Sequence, residues 1–164
     1  FFNVVCADPV MLMFTSLGKK DSARNAEETS DFVANIVTED IVEPMNLTSA
    51  DAPRNVSEFE IAKLTPVPSD LVRAPRVAEA AISMECRLER TIELGNQPSC
   101  LVIGEVVRFH IHPRVWRDGR VDPALLQPVG RLAGSWYSYT RELFSLTRPT
   151  WEGLQQGEQP VRKG

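Results

Sequence analysis

The sequence predicts a mainly β protein, an antiparallel barrel that carries a few short helices. Two β-rich apolar segments open the chain and are separated by the turn-forming pair Asp8-Pro9. Over residues 80–94, apolar and polar side chains alternate with the period of a half-buried antiparallel strand. A second long β segment follows over residues 99–112, after a turn at 95–98, so these two segments form a hairpin. Within the second segment, Gly104 marks a bulge or a close approach of another backbone.

The first helix is predicted between the second and third strands. Asp21 or Ser22 serves as its N-cap, and it runs to about Thr29. Arg24 and Glu28 have the i,i+4 spacing of an ion pair on its surface.

A strand, a short helix and a long excursion follow. Residues 31–37 have the composition of a strand, and residues 38–44 that of a short helix with Thr38 as N-cap and an end near Pro44. Residues 47–76 are rich in proline and small polar residues, with a helical candidate at 56–64. Excursions of this length are often functional.

Composition limits the classes of protein that this chain can be. With 164 residues, 43% hydrophobic, it is long enough for one core, which we assign to residues 1–149, followed by a polar, loosely ordered tail at 150–164. A net charge of −4 argues against a nucleic-acid binder. No apolar run reaches the ~20 residues that cross a bilayer, so we expect no membrane partner and a cytoplasmic location. Cys6, Cys86 and Cys100 have no metal-ligand spacing and are expected to be buried, reduced thiols.

A candidate anion site lies in the segment LGKKDSARN, where Lys19 and Lys20 precede the first helix. The positive end of a helix dipole disfavours cations, so a bound phosphate would compensate by accepting bonds from first-turn N–H groups and from Ser22. Gly18 allows the backbone to approach such a ligand closely. The alternative is that both lysines are solvated on a surface turn.

Two other stretches are candidate sites. His110 and His112 face the same side of a strand and could bind a metal with Glu105 or Asp118, or could simply be neutral histidines that line the barrel or its surface. Residues 129–140 combine glycines with Trp136 and two tyrosines, as a surface that stacks on a planar ligand would, or an aromatic closure of the barrel or a dimer contact. The motifs of P-loop, dinucleotide-binding and serine hydrolase proteins are absent from the sequence.

Eight segments follow one another along the chain in this order: FFNVVCADP, GKKDSARN, FVANIV, MNLTSADAP, EFEIAKLTPVPS, ECRLERTIELG, VIGEVVRFHI and DGRVDPALLQPVGRLAGSWYS. Read in order, they resemble the flavin reductase-like family of the FMN-binding split barrel, which includes flavoredoxin-type proteins. The resemblance extends to about Pro149 and implies an antiparallel split β-barrel. It also implies that the family's first strands lie upstream of Phe1, because the sequence given enters that pattern at FFN.

Carried over residue by residue, the resemblance assigns the FMN site. Lys20-Asp21-Ser22 match the phosphate end, with Lys20 and Ser22 as its anchors and Lys19 as a dispensable neighbour. Phe2 and Asn3 match the strand beside the flavin ring, and Tyr137 matches a wall or gate on the nicotinamide side. The cofactor-binding residues implied are Phe2, Asn3, Ser16, Lys20, Asp21, Ser22, Asn25 and Tyr137. No side chain is assigned as a catalytic acid or base, and none as a metal ligand.

The function implied is an NAD(P)H:flavin reductase that uses FMN, takes electrons from NADH or NADPH and works as a homodimer. In such an enzyme the cofactor carries the redox chemistry and the protein orients it. The electrons pass to free flavin or to an accepting partner protein. An alternative is a non-catalytic, flavoredoxin-like FMN-binding electron-transfer protein, and a third hypothesis is a metal-binding barrel centred on the two histidines.

Overall fold

The computed structural model describes residues 2–96 and 99–163. Its helices are α1 (Asp21–Thr29), α2 (Val42–Leu47), α3 (Glu58–Ala62), α4 (Pro123–Leu126) and α5 (Trp151–Gln155), with a 3₁₀ turn over Pro113–Val115. Its strands are β1 (Phe2–Ala7), β2 (Val10–Leu17), β3 (Asp31–Asn35), β4 (Pro66–Val67), β5 (Arg76–Val77), β6 (Ile82–Leu94), β7 (Ser99–Ile111), β8 (Trp116–Arg117), β9 (Arg120–Val121), β10 (Val129–Arg131), β11 (Tyr137–Tyr139), β12 (Ser145–Leu146) and β13 (Arg162–Lys163).

The main sheet of the described chain has the strand order β1-β2-β7-β6-β3, and every neighbouring pair is antiparallel. β6 and β7 pair from Ile82 and Ile111 at one end to Leu94 and Ser99 at the other. The predicted long hairpin is therefore confirmed. Its predicted turn at 95–98 includes Gln97 and Pro98, which lie outside the described residues.

Helix α1 packs on one face of this sheet. Its buried residues Ala23 and Ala26 contact Cys100 and Val102 of β7, because alanines allow the helix to lie close to the strand. A neighbouring cluster on the same sheet contains Leu12, Met84 and Cys86. This packing fixes the N-terminus of α1 beside the end of β2.

The three cysteines are free thiols, as predicted. Cys86 and Cys100 are buried, whereas Cys6 on β1 is only partly covered. Burial raises the pKa of the Cys86 thiol to about 12, so this side chain is an inert part of the core at neutral pH.

The prediction that β6 is half-buried is wrong for its first half. Ser83 and Glu85, which alternate with the apolar residues and were expected to face solvent, are buried together with Ile82, Met84 and Cys86. The reason is that part of the proline-rich excursion folds back over the second face of the strand: Asp70 N and Leu71 N both donate to the Glu85 carboxylate. A polar residue in an alternating strand is thus covered by a segment that is distant in sequence.

Helix α1 begins one or two residues earlier than predicted. Lys20, not Asp21 or Ser22, is the N-cap, because its carbonyl accepts the N–H groups of Ala23 and Arg24 at 3.1 Å. The predicted end at Thr29 is confirmed, and Ser30 follows in the left-handed region. The predicted Arg24–Glu28 pair is wrong, because Arg24 bonds to Asp21 and Glu28 bonds to Arg54.

Helix α2 is displaced from its prediction. Thr38 lies in a β-bridge with Pro128 rather than at an N-cap, and the helix runs over Val42–Leu47. Pro44 therefore lies in the first turn of the helix and does not end it. In the first turn, backbone N–H groups have no acceptor within the helix, so the N–H that proline lacks is not needed there. The third strand ends at Asn35, two residues before the predicted Val37.

The helical candidate at 56–64 is confirmed as α3, over Glu58–Ala62. The C-terminal tail, expected to be loosely ordered, contains helix α5 and strand β13. Thr150 caps α5 by accepting the Gly153 N–H at 3.0 Å, and β13 pairs with β12. The polar composition of the tail thus does not prevent local pairing with the preceding segment.

Gly104 lies in β7 where no side chain fits. A Cβ there would lie 2.9 Å from the Arg87 carbonyl oxygen and 2.8 Å from Cζ of the Phe32 ring. β6 also has a register shift between Leu88 and Arg90, opposite this glycine. Both predicted features, a bulge and a close approach of another backbone, therefore occur at this position.

Replacement of Gly104 by alanine is expected to lower the free energy of unfolding by about 1–3 kcal/mol, because the Phe32 ring and β6 must shift to admit a methyl group. Urea unfolding curves measure this loss. Adding Phe32→Leu to Gly104→Ala is expected to cost less than the sum of the two single changes, since the smaller side chain relieves the overlap. A Gly104→Ala variant as stable as the parent would contradict the steric explanation.

Candidate functional site

The N-terminus of α1 has no side-chain cap. Lys20 occupies the N-cap position with extended backbone (φ −70°, ψ 174°), and its ammonium group has no acceptor with which to cap the helix. The buried hydroxyl of Ser16, at the end of β2, accepts the Lys20 N–H at 3.3 Å and fixes the entry into the helix. Ser22 is exposed in the first turn. The N–H groups of Asp21 and Ser22, which have no acceptor within the helix, and this hydroxyl are thus available to an anion.

The two lysines have different partners. Lys20 Nζ lies 2.7 Å from Oδ1 of Asp51, a residue just after α2, whereas Lys19 Nζ lies 2.6 Å from Oε2 of Glu27 on α1. The hydrogen bond from Lys20 lowers the pKa of the Asp51 carboxyl, and that from Lys19 lowers the pKa of the Glu27 carboxyl. Lys19 is therefore held along the side of α1, and Lys20 is the lysine at its end.

A second set of charges surrounds Asp21. Its carboxylate accepts a hydrogen bond from Arg24 and lies 3.9 Å from Nε of Arg54. Arg54 also donates to Glu28 at 2.8 Å. These two arginines neutralise the carboxylate nearest the helix end, which would otherwise repel an anion there.

The remaining residues assigned to the FMN site are more spread out. Phe2 pairs with Phe14 of β2 and so lies on the same sheet face as Ser16, whereas Asn3 pairs with Met13 and lies on the opposite face. The side-chain oxygen of Asn3 accepts the Val4 N–H at 2.8 Å. Asn25 is exposed one turn further along α1. Thus Phe2, Ser16, Lys20, Asp21 and Ser22 share one face and end of the fold, and Asn3 does not.

Tyr137 lies in an open cleft between α2 and the β10–β11 hairpin. The cleft has a volume of about 590 Å³ and is lined by Val42, Glu43, Pro44, Asn46, Leu47, Val129, Tyr137, Ser138 and Tyr139. The Tyr137 hydroxyl donates to Oδ1 of Asn46 at 3.2 Å, and the Arg131 guanidinium lies 4.7 Å from the centre of its ring. An apolar cleft of this size with a few polar groups suits a planar organic ring.

A single short segment connects this cleft to the end of α1. Asn46 of α2 bonds to Tyr137, and Asp51, five residues later, bonds to Lys20. Backbone bonds at Ser49, Ala50 and Ala52 fold the intervening residues into tight turns. The cleft and the uncapped helix end are thus joined by one compact stretch of chain.

Away from these two features, Glu85 forms a buried polar cluster. It is fully buried, its oxygens accept N–H groups of Asp70 and Leu71 at 2.8 and 2.7 Å, and His110 Nε2 lies 2.5 Å from its Oε1. Burial alone would raise the pKa of the Glu85 carboxyl, but the hydrogen bonds from Asp70, His110 and Leu71 together lower it. This carboxylate fastens the proline-rich excursion to the sheet.

The structure does not join His110 and His112 in a metal site. His112 Nδ1 accepts the Arg114 N–H and caps the 3₁₀ turn, so the hypothesis of a metal site centred on both histidines is wrong. Within the described residues, the group with metal-binding spacing is Asp70, Glu85 and His110. Arg108 lies 3.8 Å from Asp70 and Arg76 lies 4.0 Å from Glu85, so guanidinium groups already supply positive charge there.

Comparison with known proteins identifies the family. The family model described as the flavin reductase-like domain matches residues 1–125. The chain belongs to the flavin reductase-like family. A relative from Halalkalibacterium halodurans is 40% identical over 160 residues, which is 92% of this chain and 76% of that protein. A relative from Bacillus subtilis is 38% identical over 160 residues, which is 92% of this chain and 78% of that protein.

Solved structures share the fold of this flavin reductase-like chain. Nitrilotriacetate monooxygenase component B from Bacillus cereus is 44% identical, with a TM-score of 0.83 over 88% of this chain and 76% of that one. The 2-nitrobenzoate 2-nitroreductase of Pseudomonas fluorescens is 33% identical, with a TM-score of 0.82 over 92% of this chain and 75% of that one. The flavoredoxin of Desulfovibrio vulgaris, at 23% identity and a TM-score of 0.78 over 93% of this chain and 80% of that one, has the same fold. The prediction of a mainly β, antiparallel split barrel is confirmed.

In the described ranges of this flavin reductase-like chain, no helix is both long and apolar enough to span a membrane.

Three residues described above had no assigned role in the sequence analysis: Asp51, Arg54 and Glu85. Asp51 and Arg54 reach α1 across 31 and 26 residues to Lys20 and Glu28, and no local pattern indicates either pairing. Glu85 is paired with Arg108 in the neighbouring strand, and His110, which contacts its carboxylate, is paired with Ser83, so no single sequence position indicated the contact.

Proposed function

We propose that this flavin reductase-like protein is an FMN-dependent NAD(P)H:flavin reductase. The observation that carries the proposal is the uncapped N-terminus of α1, where Lys20 and Ser22 stand beside the Asp21 and Ser22 N–H groups, which have no acceptor within the helix. A phosphate is the anion that such an end suits, since it accepts several hydrogen bonds and neutralises the lysine. The neutralisation of Asp21 by Arg24 and Arg54 supports the same placement.

The residues present fit FMN at this end. Lys20, Ser22 and the first-turn N–H groups would hold its phosphate, with Ser16 fixing the loop and Phe2 on the same face of the sheet. Once bound, the flavin supplies the redox chemistry, by accepting a hydride and passing electrons on. The chain itself contributes binding, orientation and exclusion of water, and no side chain is required as an acid or base. Asn25 and Asn3 are proposed as weaker, peripheral contacts.

The cleft beside Tyr137 is proposed as the place of the nicotinamide ring of NADH or NADPH. Its apolar walls suit a planar ring, and the Asn46 amide and Ser138 hydroxyl suit a carboxamide substituent. The connection of this cleft to the helix end through residues 46–51 supports two ligands that act together. Electrons would then pass to free flavin or to an accepting partner protein.

A homodimer is part of the proposal. β1 forms one edge of the main sheet, and its side chains Val4 and Val5 are 59% and 48% exposed. Trp136 and Trp151 in the C-terminal part are 73% and 69% exposed. Large apolar side chains exposed at an edge strand and near the cleft are typical of a surface that a second copy covers.

The proposal is tested with the full chain purified after expression with FMN available. We expect flavin absorbance bands in the purified protein and oxidation of NADH or NADPH that depends on flavin. Stopped-flow mixing with each nicotinamide nucleotide then separates the two flavin functions. Flavin that is bound but reduced by neither nucleotide would replace the reductase with the flavoredoxin-like electron-transfer protein, and no flavin binding would contradict both.

A further inference from the structure

The residue that contacts Lys20 in this structure is itself an anion. Asp51 Oδ1 lies 2.7 Å from Lys20 Nζ, at the distance of a charge-assisted hydrogen bond. A carboxylate at this distance competes for the same ammonium group with any phosphate that binds at the helix end. The Asp51–Lys20 ion pair lies at the proposed FMN site, yet FMN binding does not require Asp51.

Packing does not hold Asp51 in place. Its side chain is 88% exposed, and its bond to Lys20 is the contact that fixes it within the described part of the chain. The segment that carries it is anchored separately, because Arg54 bonds to Glu28 at 2.8 Å and approaches Asp21 at 3.9 Å. The Asp51 side chain can therefore turn into solvent while Arg54 stays bonded to α1.

The other charges around this end are already paired with one another. Lys19 is bonded to Glu27, and Asp21 to Arg24. Lys20 and Asp51 are thus the pair whose exchange of partners costs least, since no third side chain among the described residues bonds to either group. An incoming phosphate would form an ion pair with Lys20, and the Asp51 carboxylate would be hydrated by solvent instead.

We propose that Asp51 is a built-in competitor for Lys20, which sets how strongly the protein prefers a phosphorylated flavin over an unphosphorylated one. This inference rests on the proposed function, because it requires the FMN phosphate at Lys20. Asp51 weakens FMN binding by holding Lys20 and by repelling the phosphate when both are near. Riboflavin carries no phosphate and is indifferent to Asp51, so the Asp51 carboxylate lowers the selectivity for FMN over riboflavin.

The test compares Asp51→Asn with the parent chain, by titration of flavin fluorescence with FMN and with riboflavin at low salt. We expect Asp51→Asn to bind FMN about fivefold more tightly, the upper range for an exposed ion pair, with an unchanged dissociation constant for riboflavin. The gain should shrink at ~0.5 M salt, where exposed charges are screened. Asp118→Asn is the matched control, since Asp118 is exposed in the turn between β8 and β9 and should leave both constants unchanged.

A double variant separates this inference from the proposed function. In a Lys20→Ala background, Asp51→Asn should no longer tighten FMN binding, since the shared lysine is gone. If Lys20→Ala weakens FMN binding but Asp51→Asn leaves or weakens it, the competitor role of Asp51 is overturned and the phosphate site stands. If Lys20→Ala has no effect on FMN binding, the phosphate site falls, and the role of Asp51 with it.

Discussion

Replacement of Lys20 by alanine is expected to weaken FMN binding about tenfold, and replacement of Lys19 by less than twofold. Lys20 stands at the uncapped end of α1, where its ammonium group would contact the phosphate, whereas Lys19 is bonded to Glu27 along the side of the helix. Both variants lose one positive charge, so long-range attraction of the anion changes equally. Quenching of FMN fluorescence on titration with each variant measures the difference.

Riboflavin is the control for this comparison. Because it lacks the phosphate, neither lysine variant should alter its dissociation constant. A loss of riboflavin affinity in Lys20→Ala would indicate a damaged fold rather than a lost phosphate contact. Equal losses of FMN affinity in the Lys19 and Lys20 variants would count against the placement of the phosphate.

Replacement of Glu85 by glutamine is expected to destabilise the fold by about 3 kcal/mol. The amide has one acceptor oxygen, yet the N–H groups of Asp70 and Leu71 both point at this side chain. One donor is then left facing an NH₂ group in a buried site, and the contact with His110 loses its charge. Chemical unfolding monitored by tryptophan fluorescence gives the free energies. Glu105→Gln is the control, since Glu105 is an exposed acid on β7.

The contribution of Glu85 should depend on pH. The folded-state pKa of its carboxyl is lower than the ordinary value of 4.5, so the unfolded state takes up the proton first as the pH falls. The stability from Glu85 is therefore complete above about pH 4.5 and is lost as the pH drops towards the folded-state pKa. We expect the gap between the parent and Glu85→Gln to narrow below about pH 4.5. A gap that stays constant down to pH 3 would contradict the account of Glu85 as an ionised anchor.

Local patterns in the sequence were sufficient for the elements that local forces determine. The β6–β7 hairpin follows from alternation and turn residues. The end of α1 at Thr29 was also predicted, although its N-cap was not. Predictions failed where a distant segment intervened. The burial of Glu85 depends on residues 70 and 71, which reach it across 15 and 14 residues, and no periodicity within β6 carries that information.

The candidate site divides in the same way. Lys19, Lys20 and Ser22 were candidates because a helix begins there, which is a local property, and only the resemblance to the family favoured Lys20 over Lys19. Asp51, Arg54 and the cleft beside Tyr137 depend on how α2 and the segment after it fold against α1 and the C-terminal hairpin. Helix α2 was predicted at residues 38–44 but lies at 42–47. A prediction based on caps and propensities therefore could not indicate which residues near α2 contact α1 or line the cleft.

The most direct test of the central claim is a crystal structure of the full chain with FMN bound. The claim predicts phosphate oxygens in hydrogen-bond contact with Lys20 Nζ, the Ser22 hydroxyl and first-turn N–H groups of α1, with Asp51 turned away from Lys20. Density for the phosphate at another element, with the Asp51–Lys20 pair intact, would contradict it.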